Sequence, residues 1–245
     1  MVINPAQTVD TILSGALSIV QPSGGYRFAI DSILLARFAR PRPRARVLEL
    51  GAGCGVVSVM LAALHHLNKV VAVELQPPLA AMITQNAALN GTAAVRAVCA
   101  DIRQRNIPGL TAASFDYVVA NPPYRAASRG RESPDAERRV ARGGDGATLA
   151  DFIAGAARYA LHGGRAALVF TASRTAELIA EMKQQSLEPK RIRFVHPRKD
   201  EPATLVLMEA RKGGGVEAIV EAPLFIYTAS SVYTDETRTM LTRME

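Results

Sequence analysis

Four successive apolar runs of this chain finish on or beside a hydrogen-bonding side chain: Glu49 in RVLEL, Glu74 in KVVAVEL, Asp101 in VRAVCAD and Asn121 in FDYVVAN. If these runs are parallel strands of one sheet, the four polar groups converge on its carboxyl edge, where doubly wound folds bind their ligands. The fourth run continues into Asn121-Pro122-Pro123-Tyr124. Each proline drives the residue before it out of helical geometry, so the segment is stiff and its carbonyls stay out of any following helix. A planar exocyclic NH2 group has two hydrogens to place. The Asn121 side-chain oxygen can accept one and the Pro122 carbonyl the other, which fixes the amine and favours a lone pair directed at an electrophile. Tyr124 adds a flat face on which a base or an amide can stack. This quartet suits the clamping of a weak nitrogen nucleophile.

The first run leads into Glu49-Leu50-Gly51-Ala52-Gly53-Cys54-Gly55. Glycines there let the backbone turn tightly and approach a ligand at the start of the next helix. Glu74, about 20 residues beyond the loop, is placed to accept hydrogen bonds from both ribose hydroxyls of an adenosine cofactor. That much suits NAD and S-adenosylmethionine alike. The dinucleotide fingerprint Gly-x-Gly-x-x-Gly fails, however, because Val56 stands where its third glycine belongs and Gly55 comes one residue early.

Short β-branched runs alternate with helix-length segments from Arg46 onward, which predicts an α/β fold with a mainly parallel sheet. Helices are expected over VVSVMLAALHH, over 77–90 with Gly91 as its stop, and near 147–161 and 173–185. Further strands are expected at RAALVF, RIRFVHP and ATLVLMEARK, the last two paired antiparallel, with a late strand at PLFIY. Upstream, TILSGALSIVQPSGGY predicts a β-hairpin, and 30–39 a helix capped by Asp31 or Ser32.

Composition narrows the function. Cys54 and Cys99 stand far apart and outside any Cys/His cluster, which argues against a zinc site or a disulfide framework and points to a reducing compartment. The first residues lack a secretory leader pattern, and no apolar run approaches the ~20 residues needed to cross a bilayer. The chain is expected to be soluble. Its net charge of +7 is concentrated in two stretches, 125–142 and 188–199, which points to a polyanionic partner.

ELGAGCG, VAVEL, the acid after the third strand and NPPY together resemble the amino-methyltransferases that use S-adenosylmethionine. GYRFAIDSILLA and the early position of the glycine loop are similar to the bacterial tRNA1(Val) adenine-N6-methyltransferase family, which modifies the adenine 3′ to the anticodon. The resemblance spans roughly Leu13 to Leu241. It implies a Rossmann-like class I methyltransferase fold, with a mainly parallel seven-stranded sheet, an antiparallel C-terminal strand, and a small N-terminal β-hairpin and helix. It also implies a single domain over 1–245, with extensions 1–45 and 213–245 around a core at 46–212. Glu49, Gly51, Gly53 and Gly55 would line the methionine side of the cofactor, Glu74 its ribose and Asp101 its adenine. Asn121 and Pro122 would hold the target amine, and Tyr124 would stack on the base. Tyr26, Arg27 and, less strongly, Asp31 would close the site, while Arg125, Arg129, Arg131, Arg138 and Arg139 would meet RNA. The partner implied is tRNA; a cytoplasmic protein without membrane contact is expected, its oligomeric state left open with a monomer favoured. The same clamp would serve a protein glutamine N5-methyltransferase or an rRNA guanine N2-methyltransferase, and a non-catalytic RNA-binding protein could keep the fold. The glutamine family usually carries a separate helical N-terminal domain, for which about 45 residues leave little room.

Overall fold

Val, Ile, Leu and Ala fill the strand runs continuously rather than alternately, as expected of a sheet buried on both faces. A computed structural model, which describes residues 7–24, 27–124 and 146–242, has that sheet. Its central strands are β3 (Arg46–Leu50), β4 (Lys69–Glu74), β5 (Val95–Cys99), β6 (Phe115–Ala120), β7 (Ala160–Thr171), β8 (Leu187–His196) and β9 (Leu205–Lys212). They lie in the order β8-β9-β7-β6-β3-β4-β5. Neighbours from β7 to β5 are parallel, and β9 runs antiparallel to both β7 and β8. This is the expected seven-stranded arrangement. Two-residue strands β10 (Ile219–Val220) and β11 (Leu224–Phe225) extend it along β8.

Alternate strand residues face two separate cores. Val47, Val70, Val119 and Val169 pack toward α1 (Ile30–Phe38), α2 (Val56–Leu64) and α3 (Pro77–Leu89). Leu48, Val71, Val118 and Leu168 pack toward α4 (Leu149–Tyr159) and α5 (Thr175–Gln184). A final helix, α6 (Asp235–Thr242), was not legible in DETRTMLT, which has little apolar periodicity. Helix α4 stops short of the predicted boundary because β7 already begins at Ala160. The predicted cap of α1 is also corrected. Its N-cap is Ala29, without a side-chain cap, while Asp31 and Ser32 lie inside the first turn.

The N-terminal hairpin, β1 (Gln7–Ile12) with β2 (Leu17–Pro22), is joined to the sheet domain through side-chain amides. Asn86 accepts from the Val20 N–H at 2.7 Å and donates to the Val20 carbonyl at 2.8 Å. Asn90, one turn on at the C-cap of α3, does the same for Ser18 at 2.9 and 2.8 Å. The two amides, at i and i+4 on one helix face, take the place of a third strand beside β2. Asn86 also donates to the Cys54 carbonyl at 2.9 Å, so one buried amide links the hairpin to the glycine loop.

Those three hydrogen bonds give a stability prediction. Asn86→Ala leaves an N–H and two carbonyls unpaired in a buried site, each costing about 1–3 kcal/mol. A loss of ~3 kcal/mol is expected, read as a lower urea midpoint at unchanged m. Asn90→Ala, at a half-buried position, should cost about 1 kcal/mol.

Candidate active site

At the carboxyl edge the chain between β3 and α2 adopts left-handed backbone at every second residue: Gly51 (φ 67°), Gly53 (φ 57°) and Gly55 (φ 84°). A Cβ on Gly51 would also sit 2.8 Å from the Phe152 ring of α4, and one on Gly55 3.0 Å from Ile83 of α3. The loop is tied to the end of β4. Ala52 N–H donates to the Val73 carbonyl and Gly53 N–H to Glu74 Oε2, both at 2.9 Å. Glu74 Oε1 accepts from Gln76 N–H at 2.9 Å. Each carboxylate oxygen thus holds one backbone donor and keeps lone-pair capacity for a ligand hydroxyl. Burial pushes the Glu74 carboxyl up from its usual range, and the Gln76 and Gly53 bonds oppose that.

Strand alternation turns Glu49 toward α2, where it accepts from both the N–H (2.9 Å) and the hydroxyl of Ser58. It thereby satisfies one of the free N–H groups of the helix start. Burial nonetheless pushes Glu49 up to about 8, Ser58 holding it down and the nearby Glu74 charge adding to the rise. Asp101 is half-buried and held by Arg103, whose guanidinium meets both carboxylate oxygens at 2.7–3.0 Å and whose N–H donates at 2.9 Å. Those Arg103 bonds keep Asp101 below its usual range.

Asn121 follows the last residue of β6, with Pro122 buried and Pro123 exposed. Its Nδ2 donates to the Ser32 hydroxyl at 3.3 Å, and its Oδ1 meets no protein donor among the described residues. The Tyr124 hydroxyl donates to the Asp31 carboxylate, and its ring packs edge-on against Phe170 at 6.1 Å. Arg174 lies 4.7 Å over the same Phe170 ring and donates to the Tyr124 carbonyl at 3.4 Å. The first turn of α1 therefore braces both ends of the NPPY segment. Asp31, the weaker candidate from sequence, is part of the brace. Ser32, Ser58, Arg103, Phe152, Phe170 and Arg174 had no local signature to announce them.

Other predicted residues are placed elsewhere or not described. Arg27 gives its guanidinium to the hairpin, to Asp10 at 2.6 Å and Thr8 at 2.8 Å. Tyr26, Arg125, Arg129, Arg131, Arg138 and Arg139 lie outside the described residues. The second basic stretch is largely internal glue: Lys190 donates to the carbonyls of 215–217, and Arg191, Arg193 and Arg198 each pair with a carboxylate. Among the described residues no helix is long and apolar enough to cross a membrane.

The sequence model of the methyltransferase small domain matches residues 29–188, which takes in α1, the glycine loop and NPPY. The chain belongs to that family. It is 29% identical over 206 residues, covering 84% of each chain, to a protein of Aeromonas hydrophila named tRNA1(Val) (adenine(37)-N6)-methyltransferase. A protein of the same name from Porphyromonas gingivalis is 26% identical, covering 89% of this chain and 88% of its own. Among solved structures, a predicted O-methyltransferase of Agrobacterium tumefaciens superposes with a TM-score of 0.69 at 25% identity, covering 86% of this chain and 94% of that one. The Rossmann-like class I methyltransferase fold is thereby established for this member.

The buried carboxylates give a pH prediction. Folding raises Glu49 from 4.5 to about 8, so the stability present below pH 4.5 is lost as pH rises toward 8. Glu49→Gln keeps an acceptor for Ser58 and should flatten this decline in the ligand-free protein, leaving the smaller same-sign slope of Glu74. Urea midpoints measured from pH 5 to 8.5 check it; an unchanged slope would remove Glu49 as its source.

Proposed function

We propose that this protein transfers a methyl group from S-adenosylmethionine to the exocyclic N6 amine of an adenine in tRNA, the adenine 3′ to the anticodon of a valine tRNA. The observation that carries this reading is Asn121. A side-chain oxygen without a protein donor among the described residues stands at the carboxyl edge, beside a glycine loop, on a segment braced from both sides. The names of the relatives, matched over most of their length, support adenine in tRNA over a glutamine amide or guanine N2.

Glu74 is oriented by two backbone donors to accept ribose hydroxyls. Leu75, 53% exposed just beyond it, offers an apolar face to the cofactor's base. Asp101 can take an adenine amino hydrogen on the lone pairs that Arg103 leaves. Glu49 puts a carboxyl beneath the loop, where an ammonium or sulfonium would favour its ionised form. When bound, the cofactor supplies a methyl group already activated by a sulfonium leaving group. What remains for the protein is alignment and exclusion of water. Asn121 Oδ1 and the Pro122 carbonyl orient the amine, and Tyr124 stacks on the base while Asp31 and Phe170 fix its ring. An adenine in a loop is partly unstacked already, which lowers the cost of drawing it into the pocket.

Two experiments test the reading. Asn121→Ala should lower single-turnover methylation of unmodified tRNA by roughly 10²–10³, the cost of removing one oriented hydrogen bond. Cofactor affinity by calorimetry should hold, and nucleoside digests should show N6-methyladenosine from the wild type alone. Methylation at the wild-type rate would overturn the clamp. Separately, neutralising Arg129, Arg131, Arg138 and Arg139 should flatten the salt dependence of tRNA binding by about 0.7–0.9 for each phosphate no longer neutralised. An unchanged slope would make that segment solvated surface.

A further inference from the structure

At the opposite, amino edge of the sheet lies a concavity of about 600 Å³, which the methyl-transfer reading does not use. Its floor comes from the starts of β6 and β7 and the end of β9, and one wall from the turn between α1 and β3. Arg40, Arg42, Arg44, Arg165, Arg191 and Arg211 line it, against two carboxylates, Asp116 and Glu209. Both carboxylates are already engaged within the walls. Asp116 accepts from the N–H of Arg46 at 2.8 Å and from its Nε at 3.3 Å. Glu209, only 1% exposed, is held by the Tyr117 hydroxyl, by Arg165 and by Arg191 at 3.3 Å. The surplus cations therefore face the cavity unbalanced. Arg42 and Arg44 are exposed, and their side chains make no ionic or hydrogen-bond contact among the described residues. Arg40 reaches Glu221 only at 4.0 Å, and Arg211 meets a carbonyl, that of Gly163, at 3.3 Å.

Two further observations show that the arrangement is built rather than a chance crowding of surface arginines. Arg191 is nine-tenths buried, stacked 4.3 Å from the Phe38 ring and fixed by Glu209 and Glu221, yet its Nη2 has no partner among the described residues. Arg44 sits in left-handed backbone, φ 63°, with its N–H donating to the His66 carbonyl, so the wall is held in a conformation a non-glycine residue seldom adopts.

The geometry points to a binding site for a multiply charged phosphate anion at the amino edge of the sheet, with Arg42 and Arg44 as its principal contacts. A concave, low-dielectric wall focuses positive potential, and guanidinium forks match phosphate oxygens in pairs. The volume suits a small polyanion and is ordinary for a ligand site. β3 spans five residues, so at about 3.3 Å per residue the site stands roughly 16 Å from the carboxyl edge. Its occupant does not touch the reacting atoms. The phosphates belong either to a free polyphosphate or to the backbone of the RNA substrate, and the proposal holds whether or not the methyl-transfer reading does.

The test is calorimetric titration of the full-length protein with inorganic tripolyphosphate, beside tRNA binding measured across salt concentrations. The variant is R42Q/R44N, since Asn tolerates left-handed backbone and Gln removes the charge while keeping a flexible polar side chain. Arg238→Gln, at an exposed site on α6, is the control. Saturable tripolyphosphate binding that falls at least tenfold in the double variant and not in the control establishes the site. If the tRNA salt slope also falls, by about 0.7–0.9 per phosphate, the source is RNA backbone; if it holds, the source is a free polyphosphate. A reduced tRNA slope without tripolyphosphate binding still places RNA phosphates there. Equal losses in the control and the double variant, or no change in either measurement, would overturn the proposal. Cofactor affinity, measured in parallel, should be the same in all three proteins and verifies that the double variant is folded.

Discussion

A sheet covered by helices on both faces can be polar only at the two ends of its strands. Unpaired polar groups in its interior would cost a lost hydrogen bond each and would gain nothing from water. The strands here obey this rule through their middles: Val47, Leu48, Val70, Val71, Val118 and Val119 are at most 1% exposed. Chemistry is therefore displaced to the edges. The carboxyl edge collects Glu49, Glu74, Asp101 and Asn121, while the amino edge collects Arg165, Arg191, Glu209 and the Tyr117 hydroxyl. Parallel strands make the two edges unlike, because every β3-to-β7 strand begins at one and ends at the other. A neutral sheet thus separates an edge of acids and an amide from an edge of arginines.

At the carboxyl edge, rigidity comes from backbone donors and not from bulk. Glu74 is oriented by two N–H groups, Glu49 by Ser58, and the glycine loop by the Val73 carbonyl and the Glu74 side chain. The NPPY segment is fixed differently, by a helix brought across from outside the core strands. Asp31 and Ser32 of α1 reach Tyr124 and Asn121 over sequence separations of about 90 residues. An edge assembled from two parts with separate supports allows the glycine loop and the NPPY segment to be disturbed independently. Asn86 adds a further link, since it joins the hairpin to the loop carbonyl of Cys54.

The positions of the strands, the hairpin and the polar strand ends were legible because each has a local signature: a β-branched run, a turn, or an acid at a fixed offset from a glycine loop. Residues that act across long separations left no such trace. Asp31 and Ser32 look like ordinary helix-cap residues, and their real work depends on where α1 docks. Arg103 looks like a loop cation until Asp101 is seen between its donors. The basic stretch at 188–199 is more divided than its charge count indicates: Arg193 holds α6 through Glu236, Arg198 holds Glu201 and Lys190 holds three carbonyls, while Arg191 lines the cavity at the amino edge. The arginines at 40, 42 and 44 drew no attention because they are scattered among prolines. Only folding gathers them with residues from 165, 191 and 211.

The carboxyl edge carries a cost that explains its chemistry. Glu49 and Glu74 are both buried, each is pushed toward its neutral form, and the charge of Glu74 adds to the rise at Glu49. Replacing them with apolar residues would relieve the desolvation, so packing alone gives no reason for two acids there. A cation does. A ligand bringing positive charge to the loop would favour the ionised carboxyls that burial opposes, turning an unfavourable feature of the fold into selectivity for a cationic occupant. Glu74 would serve the ribose of a dinucleotide equally well. The features that set this loop apart from a dinucleotide site are the second buried acid, Glu49, and the misplaced third glycine.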